Sequence, residues 1–132
     1  MKPGSRPVAL ALILGGLFGL TGVAAGAFGA HGLKQSVSAS DLEIWKTGAH
    51  YQQLHAAVLI GVAGAARYLG PSQVRVIVSL LTLGIVVFAG ALYTLALGGP
   101  RWLGAVAPVG GLSLMAGWAM IVVGALRSRP VD

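Results

Sequence analysis

The sequence predicts an all-α integral-membrane four-helix bundle with both termini in the cytoplasm. Three observations carry that expectation. Uncharged, mostly apolar runs fill 7–33, 47–66, 76–100 and 102–126, and about 20 apolar residues suffice to cross a bilayer as a helix. Charged residues make up only 9% of the chain and hydrophobic ones 56%, where a soluble domain carries roughly 25% charged residues. The basic residues fall at the ends of the runs, where membrane insertion needs them. They form no single patch, so the net charge of +6 does not point to nucleic acid. Cysteine is absent, which excludes disulfides, thiolate metal sites and cysteine nucleophiles.

The expected layout is one domain with spans near 8–30, 48–68, 76–97 and 104–126, and an interfacial helix start over 41–47. Lys2, Arg6, Arg67, Arg75, Arg127 and Arg129 share one face of that layout; Lys34, Lys46 and Arg101 share the other. The excess of basic residues marks the first face as cytoplasmic. The first run is longer than the apolar part of a signal peptide, about 7–15 residues, so it reads as a span that is retained.

Span one carries Gly15, Gly19, Gly22, Gly26 and Gly29 at steps of four and three, which keeps them on one helix face. Small residues let helices approach closely in lipid. The stripe therefore predicts tight packing within the bundle, or between copies. Gly117, seven residues from Gly110 and from Gly124, repeats the device in span four.

Span two is expected to begin with a capping box, Ser40 with Glu43, to place Trp45 at the interface, and to run to about Tyr68. Just inside lies the run His50-Tyr51-Gln52-Gln53-Leu54-His55. Tyr51, Gln52 and His55 share a face by their spacing of three and four. Polar groups at membrane depth turn inward and need partners. His31 at the end of span one, Tyr93 in span three, and Pro108, Gly110 and Gly111 early in span four should meet them in the outer half. Pro108 withholds a backbone donor there, and Gly110 and Gly111 allow close approach.

The segments Gly26-Ala27-Phe28-Gly29-Ala30-His31, Trp45-Lys46-Thr47-Gly48 with Tyr51-Gln52 and His55, Gly90-Ala91-Leu92-Tyr93, and Pro108-Val109-Gly110-Gly111 with Gly117-Trp118 resemble the bacterial "domain of unknown function 423" family. The resemblance covers nearly the whole chain. It implies a small four-helix protein of the bacterial inner (plasma) membrane, similar to the eukaryotic transmembrane protein 256 family, and supplies no catalytic residue. Family members often carry hydroxyl residues where this chain has Ala89, Ala91 and Ala107, so a polar site built on them would be thinner here.

Four readings of the cluster follow. His31, Tyr51, Gln52 and His55 could hydrogen-bond across helices and fix the register. They could bind or transport a small polar solute, a proton or a lipid headgroup, as a homo-oligomer. The chain could be an accessory subunit of a larger membrane complex. His31 and His55 could hold a haem or a metal, although no attachment motif accompanies them and neither cofactor nor metal is expected. An enzyme is not expected either: the spans lack acids, and Asp41 and Glu43 have a capping explanation. The structural or accessory reading is preferred, with the lipid bilayer as its surroundings.

Overall fold

A computed structural model describes residues 5–128. Lys2 and Arg129, counted above, lie outside that range. The described chain is all-helical: α1 Ser5–Phe28, a π-helical turn Gly29–Leu33, α2 Ala39–Gly64, a single turn α3 Ala66–Leu69, α4 Pro71–Ala96 and α5 Leu103–Arg127. Three segments are long and apolar enough to cross a membrane: Ser5–Leu33, Pro71–Ala96 and Leu103–Arg127. The helix α2 has the length but not the apolar composition. Its first turns carry Asp41, Glu43 and Lys46, and 50–55 add two histidines, two glutamines and a tyrosine.

Local chemistry sets the boundaries. The cap of α2 is Ser38, not Ser40. The Ser38 hydroxyl accepts from the Asp41 backbone N–H at 3.1 Å and donates to the Asp41 carboxylate at 2.7 Å. The motif keeps its capping logic but sits two residues earlier, where the turn after Leu33 releases the chain. Glu43 instead pairs with Lys46 on the exposed face at 2.9 Å. At the other end, α2 stops at Gly64, short of the expected Tyr68, and α3 follows as a separate turn. Gly70 then adopts a left-handed φ of 74°, and Pro71 opens α4. Proline suits a first helical position because its missing N–H would be unpaired there. Gly98, with φ 86°, closes α4 in the same way that glycine ends many helices.

Packing runs in a chain: α1 against α2, α2 against α4, and α4 against α5, with α1 also touching α4. The main core lies toward the α3 end. Leu59 of α2 meets Val74, Ile77, Val78 and Leu81 of α4, all nearly solvent-free, with Ala11 and Leu114 at the sides. A smaller cluster of Leu33, Leu42, Trp45 and Ala96 closes the opposite end. The outward faces carry Leu12, Ile13, Leu17, Leu20, Leu83, Val86, Leu112, Val122 and Leu126, all exposed. An apolar exterior around a partly polar interior suits a lipid solvent, which gains nothing from burying these side chains.

The glycine stripe of α1 faces α2. A Cβ at Gly15 would stand 2.7 Å from Ile60 Cδ1, at Gly22 2.9 Å from Gln53 Cγ, at Gly26 3.0 Å from Gln53 Nε2, and at Gly29 2.7 Å from Trp45 Cδ1. Gly19 has more room. The stripe is thus occupied within the chain. On α5, Gly110 presses against the backbone of Phe88, and a Cβ at Gly117 would meet Leu81 Cδ2 at 2.6 Å.

Candidate functional site

The polar side chains of α2 are distributed in depth, and Trp45 heads them. Its indole is buried within the chain, because Gly29 leaves space for it. Its N–H donates to the Ala25 carbonyl at 2.8 Å. The ring lies 4.5 Å from Tyr93 and meets Phe28 edge-on at 5.5 Å. The residue thereby ties α1 to α2.

Gln52 is the centre of the site and is only 6% exposed. Its carbonyl accepts from the Tyr93 hydroxyl at 2.7 Å. Its amide donates to the Phe18 carbonyl at 3.0 Å and to the Thr21 hydroxyl at 2.8 Å. Thr21 passes its own proton to the Leu17 carbonyl at 2.8 Å. One side chain thus joins three helices. Partners on both sides fix its orientation: a carbonyl can only accept, so the NH₂ must face Phe18. Gln53 repeats the bond pattern one residue on, donating to the Gly22 carbonyl at 2.8 Å. Close approach at Gly22 makes this possible, since a β-carbon there would occupy the path of both glutamines.

His55 is 3% exposed. Its Nδ1 lies 2.7 Å from the Tyr51 carbonyl, and its Nε2 lies 3.2 Å from Trp118 Nε1 on α5. A carbonyl cannot donate and an indole N–H cannot accept, so the imidazole is neutral, with its proton on Nδ1. Both nitrogens are used. A second ring proton would point at the indole N–H, donor against donor.

The remaining expected residues lie apart from this network. Tyr51 is 40% exposed; its ring packs on Phe88 at 4.7 Å and on His55 at 5.9 Å. Its hydroxyl has no hydrogen-bond partner among the described residues, and neither has His50. His31 is exposed on the π-helical turn, likewise without a hydrogen bond, so it does not join the helices as expected. That turn points it outward while Gly29 and Leu33 face in. The cluster meets α1 at Phe18 and Thr21 instead. Pro108 is exposed, and Gly110 is consumed by packing on Phe88. Gly111 alone of the three borders the cluster, lining a groove between α2 and α5 of about 270 Å³. His50, Tyr51, His55, Met115 and Trp118 form its walls.

Thr21, Trp118 and Phe88 join the site beyond the residues that the sequence singles out for it. Thr21 is the one hydroxyl residue between the glycines of span one, and Trp118 is an indole far from either end of its run. Polar groups so placed need partners, and that signal was readable.

Two helices give a common ruler for depth. Leu42 and Ala96 share the outer cluster. Tyr51 lies nine residues along α2 from Leu42, and Phe88, its ring partner, eight residues back along α4 from Ala96; at 1.5 Å per residue both are ~12–14 Å down. His55 is ~20 Å down by the same measure. The cluster therefore reaches well below the outer end of the helices. By the same ruler His55 lies ~15 Å from Trp45, against which the His31 turn packs, so one haem iron cannot join the two histidines. Among the described residues no group of three His, Cys, Asp or Glu is placed to hold a metal ion.

Residues 25–111 match the profile of a family described as "Protein of unknown function (DUF423)". The UPF0382 membrane protein SSP2132 of Staphylococcus saprophyticus is 40% identical over 118 residues, covering 88% of this chain and 96% of the relative. The UPF0382 membrane protein YwdK of Bacillus subtilis is 41% identical over 117 residues, covering 88% and 95%. The UPF0382 inner membrane protein YgdD of Escherichia coli K12 is 40% identical over 124 residues, covering 89% and 90%. No solved structure matches.

Proposed function

Because the chain belongs to the DUF423 family of membrane proteins of unknown function, we propose that it is a non-enzymatic structural or accessory component of the bacterial inner membrane. It crosses the bilayer four times as a helix bundle, with both termini cytoplasmic. The helix α2 spans despite its polar run because α1, α4 and α5 take up Gln52, Gln53 and His55. Support for the orientation comes from Arg6, Arg67, Arg75 and Arg127 at one end against Lys34, Lys46 and Arg101 at the other. From Arg75 to Ala96, α4 covers ~31 Å, which matches the roughly 30 Å hydrocarbon core.

The polar cluster then serves as an internal tie. The observation that carries this reading is that both amide hydrogens of Gln52 and both ring nitrogens of His55 are already bonded within the chain. Every donor on them is taken, leaving a solute only the second lone pair of the Gln52 carbonyl, and a proton relay through His55 would have to break its bond to Trp118 first. The solute or headgroup reading keeps only the groove, where Tyr51 and His50 have free polar atoms.

The test is native mass spectrometry and thermal melting on the gently purified full chain. Gln52→Leu and His55→Ala should lower the melting temperature and leave the bound-lipid pattern unchanged. A bound molecule lost from either variant while the fold persists would reject the structural role.

A further inference from the structure

The exposed polar atoms of the α2–α5 groove need an account, because they lie at hydrocarbon depth. Tyr51 is ~13 Å below the outer end of the helices, near the middle of a roughly 30 Å core. His50 is one residue above it. Both are exposed, and neither makes a hydrogen bond among the described residues. An aromatic hydroxyl belongs at an interface, where it reaches water. At mid-depth against lipid tails it has no partner, and each unsatisfied polar group there is costly.

We propose that the α2–α5 face is the interface of a homodimer whose two-fold axis runs along the membrane normal. Three features select a second copy as the occupant. All copies in a membrane share one orientation, so a two-fold along the normal brings each residue opposite a face at its own depth. Tyr51 and His50 are adjacent, and a phenol and an imidazole each donate and accept. The hydroxyl of one copy can therefore bond the imidazole of the other, twice by symmetry. The steric form suits a helix face as well. Leu54, Met115 and Trp118 are exposed ridges beside the 270 Å³ groove. Toward the α3 end a second, separate hollow of about 170 Å³ is bordered by Val58, Gly61 and Ile121. Gly61 has open space where a Cβ would stand, and small residues favour helix association in lipid. The glycine stripe of α1 is not the dimer face, since α2 already covers it.

The inference rests on α2 crossing the membrane, and the absence of native cysteine allows both points to be tested separately. Leu54→Cys and Met115→Cys should give disulfide-linked dimers on oxidation in native membranes. Leu20→Cys, on the exposed face of α1, should not. Tyr51→Phe keeps the ring on Phe88 and removes only the hydroxyl. It should weaken dimerisation about eightfold, the effect of two symmetry-related bonds of average membrane strength, with the melting temperature of the monomer unchanged. A chain that stays monomeric, pairs through α1, or carries a lipid or foreign protein in the groove overturns the proposal. Labelling of Leu54→Cys by a membrane-impermeant thiol reagent would instead overturn the crossing of α2, and the dimer with it. An unlabelled cysteine in a monomeric chain rejects the dimer alone.

Discussion

Gln52 shows how one side chain can hold three helices in a medium that gives them little reason to associate. Interhelical hydrogen bonds in membranes average about 0.6 kcal/mol, but removing one partner of a buried pair leaves the other unsatisfied, at about 1–3 kcal/mol. Tyr93→Phe keeps the ring against Trp45 and orphans the Gln52 carbonyl. We expect a loss of about 1 kcal/mol, read by unfolding in mixed detergent. Gln52→Leu orphans the Tyr93 hydroxyl in turn. Because each change removes the same bond, the double variant should fall short of the sum of the two; strict additivity would show that the bond contributes nothing. The burial of Gln52 and His55 follows from their shared helical face, which is legible in a spacing of three residues. The partnership of His55 with Trp118 is not. His55 lies nine residues past Lys46, whereas Trp118 lies seventeen past Arg101. Only the vertical offset of α5 against α2 brings them level, and no local pattern encodes that offset. The same holds for His31, whose outward aim depends on a π-helical turn that the spacing of its neighbours does not reveal.

The elements were more legible than their partners. Steps of four and three in span one announce a smooth face, yet say nothing about which helix will lie on it. Here α2 does, and the fit is uneven along the stripe. Gly15→Leu and Gly22→Leu should destabilise the bundle by about 1–3 kcal/mol or more, because the added atoms collide with Ile60 and with both glutamines. Gly16→Leu, exposed and with open space at its Cβ position, is the matched control and should melt like the parent. Equal melting of all three would remove the packing role of the stripe. At the start of α2 the spacing of Ser40 and Glu43 reads as a capping box, yet a second serine, Ser38, stands two residues earlier. The chain path out of the Leu33 turn decides for Ser38. Ser38→Ala should therefore cost about 1 kcal/mol, while Ser40→Ala, which gives up only a 3.1 Å contact with the Ser38 hydroxyl, should cost clearly less. A reversed order would restore the Ser40 cap. The polar run of α2 explains why composition marks three spans while the chain has four long helices: hydropathy averages around the helix, whereas packing needs only one face.

For the whole molecule, the sign of the ends is the most direct test. A reporter fused after Asp132 should read cytoplasm, and one inserted within 35–38 should read exterior; the opposite pair of readings would invert the proposed orientation. The chain-like packing has a further consequence. Helix α1 is seated mainly on α2, and α5 mainly on α4, so the molecule consists of two helical pairs meeting along the α2–α4 seam. The connection between the pairs is a single turn, α3, and one left-handed glycine, Gly70. Each pair enters and leaves at the same end and is closed by its own internal bonds: Gln52 and Gln53 to α1 in one, Gln73 to the Met120 carbonyl and Ser113 to the Leu80 carbonyl in the other. On the proposed four-span reading the second half can pack as a unit, whereas the first completes its bonding only when Tyr93 and Trp118 of the second reach Gln52 and His55. A gene cut between Ala66 and Gly70 should then yield two fragments that recombine in the membrane into a complex with the parent's Tyr93–Gln52 bond, and Tyr93→Phe in the second fragment should weaken their reunion.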